Sequence, residues 1–358
     1  MDNKYLIDLL IKLSDANGVS GFEDEVVELV KKEIDGIGSY SVDPILNLVV
    51  DRKENTKNKP IVMLDAHTDE VGFITQAIKP NGTINFLPVG GWIESNAAAQ
   101  NVRARNKDGE WIKGVVASKP PHFMSAADKG RALDFGEMVI DFGVTSSDEL
   151  KNNLKIKIAS PIVPDVNCIF DEKKNVFQGK AFDNRVGCAS QIAVLKEIEN
   201  LDLDVDVIAS FSSQEEVGLR GATVSVQNID PDISIVFEGC PADDTFTEPH
   251  LIQTALGQGP MLRHFDVSII TNPRFQKYAL DIAEKHNIPC QEAVRKGGGN
   301  DGAAINKYKK ATPVIVIGVP VRYAHTPNCY VALEDYKNAI KLAVEIVKDL
   351  NKETISKF

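Results

Sequence analysis

Apolar residues change their spacing twice along this chain, and the changes mark out three stretches. Near the start, Leu6, Leu9, Leu10 and Leu13 recur at helical spacing, as do Val26, Leu29, Val30 and Ile34, so two amphipathic helices are expected. The segments ILNLVVDR (45–52) and PIVMLDAH (60–67) follow as strands. From about residue 70 to 165 the apolar runs shorten, alternate with polar residues and are punctuated by Asn81-Gly82 and Asp108-Gly109, dipeptides suited to tight hairpins. Beyond this stretch helices and strands alternate again, with residues 186–198 and the set Ala343, Ile346, Val347 and Leu350 on amphipathic helices. The predicted architecture is an α/β domain formed by residues 1–69 and 166–358, interrupted at 70–165 by a small, barrel-like all-β domain.

Within the α/β part, the runs 61–64, 205–211, 233–237 and 314–319 are short, rich in β-branched residues and bounded by polar residues, Gly or Pro. They read as buried strands, although a buried helix has the same local signature. Each leads to a potential metal ligand: His67 in DAHTDEVGF, Glu215 and Glu216 in SSQEEVGLRGA, Glu238 in VFEGC and His325 in YAHTPN. Ligands of open α/β sheets bind outside the carboxyl ends of the strands. With Asp183 of GKAFDNRVG, these residues make a candidate two-metal hydrolase site.

The chemistry explains the choice of residue types. In the His67-x-Asp69 pair one imidazole nitrogen is available to a metal while the carboxylate accepts from the other and fixes the ring. Two neighbouring cations repel, and a carboxylate such as Asp183 relieves this by offering one oxygen to each. Adjacent Glu215 and Glu216 are costly unless a cation or proton relieves them; their side chains point in different directions, so Glu216 is expected to bind metal and Glu215 to act as general base. Three carboxylates against two divalent ions leave one positive charge, which a hydroxide balances. Taken singly, each residue has a plainer reading: Asp183 as a helix N-cap, Glu238 as a surface acid at the end of its strand, His325 as a turn histidine.

Composition narrows the function. A chain of 358 residues with net charge -11 has the wrong sign for a nucleic-acid or anionic-membrane partner. The N-terminal MDNKYLIDLLIKLSDANG carries Asp2 and Asp8 and lacks a small-residue cleavage site, so it does not read as a signal peptide. Apolar runs fall short of the roughly 20 residues that span a bilayer. Cys168, Cys188, Cys240, Cys290 and Cys329 are odd in number and without paired spacing, which fits reduced thiols and a cytoplasmic location. A GxSxG elbow, a phosphate loop and a dinucleotide fingerprint are all missing. The run Gly297-Gly298-Gly299 before Asn300-Asp301 reads as a substrate-side loop or a surface turn, and Arg220, Arg295 and Lys296 are candidates for a pocket that takes acidic side chains.

The order GVSGFEDEV, the His-x-Asp pair, PVGGW, SKPPH, FDNR, SQEEVGLRGA, LGQGP and HTP resembles metallopeptidase family forty-two, the two-metal glutamyl and deblocking aminopeptidases with some endoglucanase-labelled members. The resemblance implies a phosphorylase/hydrolase-like mixed-sheet catalytic domain with an inserted β domain. It implies two divalent ions, zinc or cobalt, one on His67, Asp183 and Glu238 and the other on Asp183, Glu216 and His325. Glu215 matches the family's base and Asp69 its histidine-orienting carboxylate. His122 falls in a motif of the inserted segment, where an intersubunit or site-rim contact is expected, and Gly298 and Asp301 fall on the substrate side. Peptide substrates and a homo-oligomer are implied, a tetrahedral dodecamer being a common family form. This chain departs from the family in having Glu238 for a usual Asp, Cys329 for a frequent Glu, and GGGNDG for a Gly-Gly-Thr-Asp pattern. Two rivals are a non-catalytic metal-binding shell or scaffold of the same fold, and a glycoside hydrolase, which would need two carboxyls about 5–9.5 Å apart and no imidazoles.

Overall fold

The N-terminal patterns fold as expected: helices Asn3–Asp15 and Asp24–Glu33 bury Leu6, Leu9, Leu10 and Leu13 on one and Val26, Val27 and Val30 on the other. The computed structural model describes residues 2–127 and 130–358. Three strands come next, β1 (Gly38–Val42), β2 (Leu48–Arg52) and β3 (Ile61–His67). Residues 72–164 supply β4 (Gly72–Ile78), β5 (Ile84–Val89), β6 (Asn101–Arg105), β7 (Trp111–Ala117), β8 (Val139–Asp141) and β9 (Pro161–Pro164). The remaining strands are β10 (Ile169–Asp171), β11 (Val176–Gly179), β12 (Asp206–Ser212), β13 (Ile233–Pro241), β14 (Met261–Phe265), β15 (Gln291–Val294), β16 (Val314–Val321) and β17 (Cys329–Ala332).

The class is mixed α/β. Eight strands form one sheet in the order β1-β2-β12-β3-β13-β16-β14-β15. Its centre, β12-β3-β13-β16, is parallel throughout, and those four strands contain the four apolar runs identified above. Strands buried on both faces need continuous apolar sequence, which VIVIGVPV in β16 provides, every residue of it buried. Helices Phe182–Glu197 and Leu333–Asp349 contribute Val186, Ile192, Tyr336 and Ile346 to the main core. Strands β4 to β9 close into a barrel in the order β4-β5-β8-β7-β6-β9. Its separate core includes Phe73, Phe86, Val102, Ile140 and Ile162, with the Phe73 and Phe86 rings edge-on at 5.0 Å.

Some elements were not anticipated. Strand β1 is exposed at four of its five positions, so the apolar pattern carries little trace of it. Helix Pro273–Lys285 has both signals, an Asn272 cap accepting from the Arg274 and Phe275 amides and a buried Phe275, Ala279, Ile282 stripe, but lies outside the motif-bearing segments. Glu238 was expected to end its strand, whereas β13 continues to Pro241 because Glu238 to Pro241 pair with Gly318 to Val321 of β16.

Residues 68–71 link β3 to β4, so the barrel leaves the sheet where the site begins. A buried ion network locks this junction. Lys180 Nζ donates to both Glu70 oxygens at 2.6 and 2.8 Å, and Arg185 Nη2 lies 3.4 Å from Glu70. Arg185 also donates to the carbonyls of Leu13, Ala16 and Thr68, tying the first helix to the barrel entry. Removing one partner of a buried pair leaves uncompensated charge and costs about 3–5 kcal/mol. Glu70→Ala is therefore expected to lower unfolding free energy by about that amount in urea titration, and a change under about 1 kcal/mol would show that the network does not carry the junction.

Candidate metal centre and active site

The parallel register brings the site together. His67, last in β3, pairs with Ser212 of β12, and the acid turn starts just beyond. Asp65 pairs with Val236 of β13, which sets Glu238 level with His67. Asp183 stands where the chain enters helix Phe182–Glu197, with φ -85° and ψ 99° and a cis peptide to Asn184. It is not a helix N-cap: Ala181 occupies that position. Backbone approach at this point needs glycine, since a Cβ on Gly239 would lie 2.6 Å from the Phe182 carbonyl and 2.7 Å from Asp183 Cα.

Asp69 organises the cluster from below. Fully buried, it accepts from Ser20 Oγ at 2.6 Å and from the amides of Glu215 and Glu216 at 3.0 and 3.2 Å. Its Oδ1 lies 3.3 Å from His67 Nδ1, and its backbone carbonyl 3.2 Å from the same nitrogen. One carboxylate thus fixes an imidazole and both members of the Glu pair. Behind it, Glu23 accepts from the Gly21 and Gln214 amides, and burial followed by the charge of Asp69 pushes its carboxyl up to about 7.

Each imidazole has one nitrogen committed to oxygen acceptors and the other aimed at carboxylates. His325 Nδ1 donates to the Gly91 carbonyl at 2.8 Å. Its Nε2 lies 3.3 Å from Asp183 Oδ2 and 3.2 Å from Glu216 Oε1. His67 Nε2 lies 3.2 Å from Asp183 Oδ1 and 4.0 Å from both Glu215 Oε2 and Glu238 Oε2. The two Asp183 oxygens therefore face two different imidazoles.

Electrostatically this is a crowded place. Burial pushes Glu215, Glu216 and Glu238 upward, and the neighbouring carboxylates add to the shift. Burial opposes charge on the histidines too, yet Asp183 and its acidic neighbours outweigh it, raising His67 well above its ordinary value and His325 to about 12. For Asp183 burial is likewise outweighed, by the close imidazoles of His325 and His67, and its carboxyl is held low. A cation between these groups relieves the same strain. The donor atoms fit one: His67 Nε2, Asp183 Oδ1 and Glu216 Oε1 are buried without a hydrogen-bond partner, and mixed imidazole and carboxylate ligands suit zinc and related ions. Ligand atoms of His67, Asp183 and Glu216, and of His67, Glu215 and Glu238, lie within 4.8 Å of one another. The second trio contains Glu215, assigned above as base, while His325 joins through its separate contacts with Asp183 and Glu216.

A pocket of about 520 Å³ opens over the cluster, lined by Asp183, Glu215, Glu216, Glu238 and His325 together with Pro241, Arg263, Arg295, Lys296 and Gly297 to Gly299. Gly298 is thus at the site. Asp301 is buried and does not line the pocket; it accepts from Ser212 Oγ at 2.7 Å. Arg220 is exposed, 3.5 Å from Gln214 Oε1, and is outside the lining. His122 sits in an exposed turn, Pro121–Phe123, also outside it. Cys329 is buried, its thiol directed at the carbonyls of Tyr323 and Thr326.

Three contributors escaped the sequence reading. Asn184 Nδ2 donates to the Phe237 carbonyl at 2.8 Å and lies 3.3 Å from Glu238 Oε2. Arg263 is buried on the pocket wall. The Gly90-Gly91 pair of PVGGW brings the barrel against the cluster: a Cβ on Gly91 would lie 2.9 Å from His325 Nδ1, and one on Gly90 3.2 Å from Glu216 Cβ. The Gly-Gly dipeptide was the available signal, and nothing local reveals which partner requires it.

A mixed sheet whose parallel centre leads into histidines and carboxylates at its carboxyl edge, beneath a pocket lined by charged side chains, defines a hydrolase of the metallopeptidase kind. The chain belongs to the M42 glutamyl aminopeptidase family, whose model matches residues 47–342, and it is a peptide-bond hydrolase. It is similar to the lysyl aminopeptidase of Pyrococcus furiosus, 28% identical with 96% of this chain and 97% of that one covered. Among solved structures it resembles a TET aminopeptidase from Thaumarchaeota archaeon SCGC AB-539-E09, with TM-score 0.95, 32% identity and 99% of each chain covered. It also resembles the TET1 peptidase of Pyrococcus horikoshii, which assembles into a tetrahedron or a large octahedral shell, with TM-score 0.86, 27% identity and coverage of 96% and 100%.

The Gly91 carbonyl gives a direct check on the site. Groups that orient a ligand histidine are worth about 10–100-fold in metal affinity, so Gly91→Ala, which displaces the His325 ring, should weaken zinc binding to chelator-stripped protein by about that factor in calorimetric titration. Unchanged affinity would show that His325 does not bind metal in this way.

Proposed function

We propose that this protein is a two-metal aminopeptidase that releases N-terminal residues from peptides. The observation that carries the reading is Asp183, whose oxygens separately face His67 Nε2 at 3.2 Å and His325 Nε2 at 3.3 Å, the arrangement a bridging carboxylate requires. His67, Asp183 and Glu238 would hold one ion and Asp183, Glu216 and His325 the other, zinc or cobalt. When bound, the ions would polarise the scissile carbonyl and lower the pKa of water toward about 7.

The protein's own groups do the rest. Asp69 keeps the His67 ring and the Glu215-Glu216 turn in place. Glu215, partly buried and turned toward His67, takes the proton of the attacking water and returns it to the leaving amine. The remaining acids of the cluster face the free α-amino group, which makes the enzyme an exopeptidase.

The barrel formed by residues 72–164 is read as a domain inserted into the catalytic one, spanning 70–165. The likeness to shell-forming peptidases supports a homo-oligomer, a tetrahedral dodecamer among the forms, in which exposed His122 is available for an intersubunit contact. Cytoplasmic location is supported by five cysteines, all free. Among the described residues no helix is long and apolar enough to cross a membrane. A glycosidase reading leaves the two oriented imidazoles without a purpose, and a scaffold reading leaves Glu215 without one.

Aminoacyl-p-nitroanilides and their N-acetylated controls test this on chelator-stripped protein. Cleavage of the free-amine substrates alone, restored by zinc or cobalt, is expected; failure with every metal would sink the aminopeptidase reading. Glu215→Gln should lower kcat by roughly 10² to 10⁴ with metal content unchanged, and near-normal turnover would remove Glu215 as the base.

A further inference from the structure

The metal cluster leaves the segment GVSGFEDEV (18–26) without a task, although three of its residues reach the loops around the site. The Gly18 amide donates to Glu70 Oε1 at 3.1 Å and Ser20 Oγ to Asp69 at 2.6 Å. Glu23 Oε1 accepts from the Gly21 amide at 2.8 Å and from the Gln214 amide at 3.1 Å. That last contact completes a pattern in the turn that carries Glu215. Four successive amides there donate to side chains: Ser213 to Asn47 Oδ1, Gln214 to Glu23, and Glu215 and Glu216 to Asp69. Gln214 is left-handed at φ 55°, a conformation that a residue with a side chain keeps where its surroundings hold it. Glu23 is 0% exposed, and its Oε2 is buried without a hydrogen-bond partner among the described residues. A carboxyl with one oxygen unpaired is a costly way to fill buried space. What it provides is an acceptor for the amide next to the base.

We infer that Glu23 is a positioning residue for catalysis: it holds the Gln214 amide, fixes the left-handed turn and thereby aims the Glu215 carboxylate at the water it deprotonates. The inference rests on the aminopeptidase reading with Glu215 as its general base. Asp69 does not do this alone, because its two oxygens already serve Ser20, His67 and the amides of Glu215 and Glu216. With the Gln214 amide released, the residue before the base regains its conformational freedom, and a misplacement of about 1 Å costs on the order of a hundredfold in rate. The acceptor oxygen matters here rather than the charge. Burial and the charge of Asp69 push the Glu23 carboxyl up to about 7, so a neutral amide in its place keeps the acceptor and spares the turn a second buried charge.

The test is kcat, KM and zinc content for Glu23→Ala, Glu23→Gln, Glu215→Gln and the double variant Glu23→Ala/Glu215→Gln, on zinc-loaded protein with an aminoacyl-p-nitroanilide. Glu23→Ala should lower kcat by about tenfold or more, with KM within about threefold of wild type and zinc content unchanged. Glu23→Gln, which keeps the acceptor, should bring kcat back to within about threefold of wild type. In the Glu215→Gln background Glu23→Ala should cost less than about threefold, because a residue that acts through the base has nothing left to aim. Should the alanine variant not fold, Glu23→Asp, which draws the oxygen back by one methylene, takes its place with the same loss expected. Wild-type kcat in Glu23→Ala, a Glu23→Gln enzyme as slow as Glu23→Ala, an equal loss with and without Glu215, or loss of zinc would overturn the assignment of Glu23 and leave the aminopeptidase reading standing. Absence of hydrolysis by the wild-type protein would overturn both.

Discussion

Everything in this fold answers to the crowding around Asp183. Four carboxylates and two imidazoles converge on a few ångströms of buried space, with His67, Asp183 and Glu238 almost wholly withdrawn from water. Ionised groups cannot be buried so closely without compensation. Protons on the histidines supply some, and divalent cations supply more, because each cation meets several donors at once. The arrangement is costly as a structural motif and economical as a ligand cage. That asymmetry is the physical reason for reading it as a site.

The scaffold meets this cost with rigid elements. Two site residues lie on central parallel strands, His67 at the end of β3 and Glu238 within β13, where the hydrogen-bonded ladder sets their separation. The others stand on turns that would wander without restraint. Asp69 supplies that restraint for the Glu pair by accepting both of their amides. Asn184 ties the Asp183 turn to β13, and Gly239 removes the atom that would keep the two apart. Loops position chemistry well only where such contacts fix them.

Much of this was legible in the residues because strand and ligand signals coincide. The runs before His67, Glu215 and Glu238 are apolar on both faces, as a central parallel strand must be, and the polar residues that follow stand out against them. The alternating texture after residue 70 likewise registers strands that now form a closed barrel. Long-range pairing was not legible. Nothing in GSYSV marks it as the sheet's edge, and nothing local to Arg263 tells that Asp266 and Cys240 will bury it in the pocket wall. Arg220 was attractive by its closeness in sequence to the Glu pair; it opens helix Arg220–Ile229 as an exposed residue and reaches back to Gln214, outside the pocket lining. Asp301 was expected on the substrate side but turns inward to Ser212, leaving the preceding glycines at the pocket.

The barrel is therefore more than a lid beside the catalytic sheet. His325 is left-handed at φ 59°, as is Tyr323 two residues earlier at φ 62°, and the Cys329 thiol donates to the Tyr323 and Thr326 carbonyls of the same turn. The imidazole ring is oriented from the barrel side, by the Gly91 carbonyl of the segment after β5. The barrel leaves the sheet immediately beyond Asp69, and Glu70, Lys180 and Arg185 clamp its departure to the first helix and to the approach of Asp183. A chain excursion that begins at one histidine and returns a backbone carbonyl to the other couples the two halves of the cluster. Separation of the barrel from the sheet would leave His67 oriented by Asp69 and His325 without its acceptor, so of the two imidazoles only His325 depends for its orientation on the docking of the two parts.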